Sequence, residues 1–145
     1  MIEIGNQKSL LLLNSASAAT NADATANVDT RGFDAARIVL FSSTTNVPTT
    51  LKVEHSDTTD ATNFSTINAT GGTDFTLAGA SATSTNPHAV FDIVTAGLKR
   101  YLRLTVRPAT ATANLVAIAE LGRPLTGIDS ASDLSAASYV TVPGR

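Results

Sequence analysis

Tyr101-Leu102-Arg103-Leu104-Thr105-Val106-Arg107 is the stretch on which the fold turns. Leu102, Leu104 and Val106 fall on one side of an extended chain, and Tyr101, Arg103, Thr105 and Arg107 on the other. This period of two fits a half-buried strand and no helix. Leu51, Val53 and His55 alternate with Lys52, Glu54 and Ser56 in the same way, so both stretches read as antiparallel strands with one wet face. A second kind of strand is apolar on both sides and belongs nearer the centre of a sandwich. Arg37–Ser42 carries Ile38-Val39-Leu40-Phe41, His88–Thr95 carries Val90-Phe91-Asp92-Ile93-Val94, and Asn114–Leu121 is built from Ala around Leu115, Val116 and Ile118. Ser9–Ser15, Ala24–Asp29 and Phe64–Ile67 complete a set of about eight strands. Helical periodicity is nearly absent. The fold class expected is all-β, an antiparallel β-sandwich or jelly roll with extended N- and C-terminal arms.

The connectors agree with that reading. Arg31-Gly32, Thr45-Asn46-Val47-Pro48, Gly71-Gly72, Asn86-Pro87 and Gly97 are turn signals between the strands. Asp57–Asn63 and Asn68–Asn86 are longer loops rich in Thr, Ser and Asn. The one candidate helix starts near Asp129 and runs through Leu134–Ala137. Residues 1–121 are expected to form the jelly-roll domain, and residues 122–145 a C-terminal arm bounded by Gly122-Arg123-Pro124 and Pro143-Gly144-Arg145. The apolar residues of that arm must dock, either on a partner or back on their own domain.

Composition narrows the function. The chain has 145 residues, enough for one core, with a formal net charge of -2 and no basic or acidic block. Nucleic acid is thereby disfavoured as a partner, since phosphate binding needs concentrated Lys and Arg, and so is a membrane surface. No stretch approaches the ~20 apolar residues of a membrane-spanning helix. The absence of cysteine excludes disulfides, Cys-based zinc sites and thiol catalysis. Lys8, Leu10–Leu13 and Ser15-Ala16-Ser17-Ala18 have the outline of a signal peptide. The apolar run falls short of the usual ~7–15 residues and Glu3 occupies the n-region, so a first β-strand is the expected reading.

Catalytic equipment is sparse. The two histidines are His55 and His88. A hydrolase triad would need one of them beside a Ser and a carboxylate. His55 reads instead as a core-edge residue with a backbone partner, and His88 follows Pro87 at a strand start without suggestive company. Asp57, Asp60 and Asn63 lack the Gly and bidentate Glu of a calcium loop and read as turn chemistry. Gly71-Gly72 lacks the Lys and helix of a phosphate loop, and Asn63-Phe64-Ser65 and Asn68-Ala69-Thr70 match the glycosylation pattern only as short Ser/Thr-rich runs do. No enzyme activity, metal, cofactor or small-molecule substrate is expected. The alternative for a small sandwich is a carbohydrate-binding or adhesion module, but such sites stack sugars on exposed aromatics, and the chain has no Trp and only Tyr101 and Tyr139.

The succession Val28-Asp29-Thr30-Arg31-Gly32-Phe33-Asp34, Leu51-Lys52-Val53-Glu54-His55-Ser56-Asp57, Phe64, Phe91-Asp92-Ile93 and Lys99-Arg100-Tyr101-Leu102-Arg103-Leu104 resembles small tailed-bacteriophage proteins. These are the jelly-roll cement, or decoration, proteins on the outside of an icosahedral head. The resemblance covers roughly residues 24–121. It implies a structural virion protein, made in the host cytoplasm and bound to the outer capsid surface, where it stabilises contacts between major capsid proteins as a dimer or trimer. Contact segments are then expected at Met1, Ile2 and Ile4 and at Leu125, Ile128, Leu134, Tyr139, Val140 and Val142. Read as residues alone, Asp29, Arg31, Asp34, Arg100 and Arg103 are charges for cross-strand pairing of modest value. Gly32 permits a turn with positive φ, and Phe33, Phe64 and Phe91 are core candidates.

Overall fold

A computed structural model of the chain describes residues 7–19, 21–42, 50–67, 88–108, 113–122 and 138–142. They form nine strands: β1 (Lys8–Ala18), β2 (Ala24–Asp29), β3 (Ala35–Ser42), β4 (Thr50–Ser56), β5 (Ser65–Thr66), β6 (His88–Val94), β7 (Tyr101–Arg107), β8 (Ala113–Gly122) and β9 (Ser138–Val142). A 3-10 turn at Ala61–Asn63 precedes β5. The strands make two sheets, ordered β1-β8-β3-β6-β9 and β2-β7-β4-β5. β1 pairs with β8, β2 with β7, β3 with β6 and β4 with β5, all antiparallel. The chain is thus a long antiparallel ribbon, rolled so that alternate pairs fall in opposite sheets and β3 and β4 close onto β8 and β7. That is the jelly roll, an all-β sandwich. β9 adds to it by running parallel to β6.

Alternation places the core. Leu102, Leu104 and Val106 of β7 face Leu51 and Val53 of β4 and Val28 of β2 on one sheet. Ile38 and Leu40 of β3, Phe91 and Ile93 of β6, and Leu115, Ala117, Ala119 and Leu121 of β8 supply the other, and all are buried. The Ala residues of β8 let the central strands carry large side chains on either flank without overpacking. Phe91 is a core residue as expected and Phe33 packs at its margin. Phe64 differs: its ring lies 4.2 Å beneath the Arg103 guanidinium, a cation–π contact. Gly32 has φ +88°, the positive value that the Asp29–Phe33 turn demands.

Two boundaries depart from the sequence reading. β1 extends beyond Ser9–Ser15 to Lys8–Ala18, with irregularities between Leu11 and Leu13 and between Ser15 and Ala18; bulges let a long strand follow a twisted partner. Of the stretch 122–145 assigned to an arm, Gly122 closes β8 and Ser138–Val142 is the strand β9 on the domain's own sheet. The expected helix near Asp129, the turns at 45–48, 71–72 and 86–87, and the loop 68–86 lie outside the described residues.

Candidate functional site

Each sheet of a sandwich has an inner face that packs the core and an outer one turned away from it. On the four-stranded sheet the outer residues of β7 are Tyr101, Arg103, Thr105 and Arg107. They are flanked by Thr25, Asn27 and Asp29 of β2 and by Lys52, Glu54 and Ser56 of β4. Ion pairs close this surface. Glu54 is buried, at 5% exposure; it accepts from Lys52 Nζ at 2.7 Å, from Arg103 Nη2 at 2.8 Å and Nε at 3.1 Å, and from Thr105 Oγ1 at 3.4 Å. Burial pushes the Glu54 carboxyl upward, but the hydrogen bonds from Lys52 and Arg103 outweigh it and hold the group below its usual range. Arg103 also donates to the Ala61 carbonyl at 3.0 Å.

Two further pairs rim the same face. Arg100 clasps Asp29 through Nε at 3.0 Å and Nη2 at 2.6 Å, which holds the Asp29 carboxyl at about 2. Arg107 clasps Asp23 at 2.7 and 2.9 Å and lowers that carboxyl as well. Of the charges expected to pair, Asp29 and Arg100 do so with each other, Arg103 chooses Glu54, and the Arg31 N–H donates to Asp29 Oδ1 at 3.0 Å. The Arg100 guanidinium lies 4.9 Å over the Tyr101 ring.

The outer face of the five-stranded sheet is different in kind. Directly paired residues of neighbouring strands share a face, so the register gives its rows. Leu11, Ile118, Val39 and Val90 form one row across β1, β8, β3 and β6. Asn14, Val116, Phe41 and His88 form the next, and Ser9, Glu120, Arg37 and Asp92 a third. The first row is wholly apolar, and the second carries Val116 and Phe41 beside Asn14. Only the third is charged, with Arg37 clasping Asp92 through two contacts of 2.6 Å. Leu11 is 64% exposed and Phe41 42%; these are the exposed large hydrophobics among the described residues, and both belong to this face. Ile118, Val116 and Val39 between them are half-buried. One face therefore pairs its charges internally, whereas the other exposes Leu11 and Phe41 to water, with Val90 of the same face buried at 2% exposure.

The residues considered for chemistry are occupied locally. His55 lies on the inner-facing side of β4, and its Nδ1 accepts the Lys99 N–H at 3.3 Å. Asp60 caps the 3-10 turn: its Oδ1 accepts the Thr62 N–H at 3.0 Å and Thr62 Oγ1 at 2.9 Å, contacts that lower its carboxyl. Asn63 Nδ2 donates to Thr58 Oγ1 at 3.1 Å. His88 pairs through its backbone with Phe41. Among the described residues no three His, Asp or Glu side chains converge in a way that could hold a metal ion, and no helix is long and apolar enough to cross a membrane. Of the expected contact residues, Tyr139, Val140 and Val142 belong to β9, registered on Val90, Phe91 and Ile93 of β6. Met1, Ile2, Ile4, Leu125, Ile128 and Leu134 lie outside the described residues. Leu11 and Phe41 were missed by sequence reasoning; the one available signal was that β1 and β3 are apolar at positions of both parities. Comparison with known protein families, curated proteins and solved structures finds no match for this chain.

Proposed function

We propose that this chain is a non-enzymatic structural protein of a virion, a cement protein that lays the outer face of its five-stranded sheet against major capsid subunits and stabilises their contacts. The observation that carries the docking face is the placement of both exposed large hydrophobics, Leu11 and Phe41, on one sheet face while the opposite face is closed by ion pairs. The sequence resemblance supplies the capsid. Covering apolar surface is worth about 25 cal/mol per Å² before the costs of association, so a sheet face with exposed apolar side chains suits a protein that works by coverage. Copies that touch more than one capsid subunit add each further contact as an intramolecular event. A glycan-binding module draws no support from Tyr101, whose ring sits under the Arg100 guanidinium.

The test is thermal. Heads deprived of the protein, and the same heads reconstituted with it, are heated while melting and DNA release are followed. Reconstitution is expected to raise both transitions. Unchanged transitions with the protein bound would refute a cementing role, and specific binding to a broad glycan panel would favour the adhesive alternative.

A further inference from the structure

The loop between β4 and β5 does not stay beside its own strands. β5 and β7 lie on opposite sides of β4 in their sheet, so this loop can reach β7 only by crossing the outer face of β4. Two contacts make that crossing: the Ala61 carbonyl accepts from Arg103 Nη1 at 3.0 Å, and the Phe64 ring lies 4.2 Å from the same guanidinium. Beneath it, Glu54 stands on the outer side of β4 yet is 5% exposed, and the Arg103 side chain is 15% exposed. The loop's other hydrogen bonds, among the described residues, stay within it or return to β4. Thr58 N–H donates to Ser56 Oγ, Thr62 to Asp60, Asn63 to Thr58 and Asp60, and Ser65 to the His55 carbonyl. Ser56 before the loop and Ile67 after it are buried, whereas residues 57–63 are exposed. The loop is thus a strap, fixed at both ends in the sandwich and held across its middle by one side chain.

We propose that residues 57–64 form an acid-released strap: Arg103 is its clasp, and the ionised Glu54 carboxylate keeps Arg103 where it can reach the strap. Nε and Nη2 of Arg103 both donate to Glu54 Oε2, at 3.1 and 2.8 Å, which leaves Nη1 for Ala61 and the guanidinium face for Phe64. A neutral Glu54 lacks the charge that makes those bonds strong, and Arg103 is then a covered cation without its counter-charge. Turning out to water relieves it. The Ala61 and Phe64 contacts are lost together, because the group that moves makes both. The charges facing Glu54 are Lys52 on its own strand, whose Nζ donates to Oε1 at 2.7 Å, and Arg103 on β7; β5 sets uncharged Thr66 opposite it. Asp57 and Asp60 of the strap are exposed, and Asp60 is engaged with Thr62. Burial pushes the Glu54 carboxyl up, but the bonds from Lys52 and Arg103 outweigh it and hold the group below 4.5. The strap therefore stays clasped through that pH and opens as pH falls through the lower folded value. Its release leaves the five-stranded sheet untouched, so the inference stands apart from the capsid reading.

The chain has no Trp, so Phe64→Trp places a single indole on the strap, and Trp is the best partner for a guanidinium. Acrylamide quenching of its emission reads whether the strap is clasped, and far-UV circular dichroism reads whether the sandwich is folded. In this background the indole is expected to be shielded at neutral pH. Below pH 4.5 it should become as accessible as in an unfolded chain while the β-type spectrum persists. Adding Glu54→Gln should release it already at neutral pH and abolish the acid step. Arg103→Lys, which keeps a cation but loses the fork, should release it as well, and decides the matter if Glu54→Gln does not fold. Asp60→Asn discharges the strap's own cap but spares the clasp, and should leave the acid step in place. An indole still shielded in a folded Glu54→Gln or Arg103→Lys protein overturns the proposal. So does an acid step that vanishes with Asp60→Asn, or one that coincides with loss of the β-type spectrum.

Discussion

The two outer faces of this sandwich begin from the same strand chemistry and end as opposites. On the four-stranded sheet, Arg100, Arg103 and Arg107 of one chain segment each find a carboxylate, from Asp29, Glu54 and Asp23. On the five-stranded sheet, among the described residues, the Arg37–Asp92 pair stands beside rows that hold Leu11, Ile118, Val39, Val116 and Phe41. A sheet face that needs no partner satisfies its polar groups internally. A face left apolar toward water costs solubility and is informative for that reason.

The largest effect is expected where the wet face is most buried. Glu54→Ala leaves Arg103 and Lys52 without their shared carboxylate and should cost about 3 kcal/mol in urea denaturation; a cost under about 1 kcal/mol would mean that this face is an ordinary solvated surface. On the other side, Ile118→Ala removes a half-buried side chain and is expected to cost about 1.5 kcal/mol, below the range for fully buried aliphatics. A loss as large as that of Glu54→Ala would mean that the apolar face is core after all.

Acid sharpens the same contrast. Asp29, Asp23 and Glu54 are all held below their ordinary values. A depressed carboxyl contributes stability that is complete above its unfolded value, near 3.8 for Asp and 4.5 for Glu, and is lost as pH falls through the folded value. Tm should therefore fall between about pH 4.5 and pH 2, the Asp29 share going last because its carboxyl titrates at about 2. Arg100→Gln should shallow the lower end of that decline; an unaltered profile would remove the Asp29–Arg100 pair from the account. The smallest effect belongs to Leu11→Lys: the side chain it replaces is 64% exposed, so stability in urea denaturation should change by less than about 0.5 kcal/mol, and a loss above about 1 kcal/mol would mean that Leu11 is packed.

Much of the fold was legible because strands with one wet face announce themselves. The alternation of Tyr101–Arg107 placed β7 to the residue, and that of Leu51–Ser56 placed β4 but for its first residue, Thr50. β9 was not legible. Ser138-Tyr139-Val140-Thr141-Val142 has strand chemistry, but it is short, adjoins Pro143-Gly144, and pairs with a strand more than forty residues earlier, so nothing local marks it. Runs apolar at both parities were read as central, and β8, β3 and β6 are indeed the interior strands of their sheet. Periodicity cannot tell whether a second apolar face is covered or bare, and for that reason Phe41 and Leu11 escaped notice. Nor could it show that Glu54, on the nominally wet side, would be buried beneath Lys52 and Arg103.

The most direct test sets one face against the other in a single co-sedimentation measurement with capsid heads. Phe41→Lys alters the apolar face, and the double variant Thr25→Lys/Asn27→Lys places the same chemistry at exposed positions of the ion-paired face. The account predicts that Phe41→Lys, folded by circular dichroism, binds heads about tenfold more weakly, while the Thr25/Asn27 variant binds as the wild type does. Equal binding by Phe41→Lys, or a loss confined to the Thr25/Asn27 variant, would contradict it.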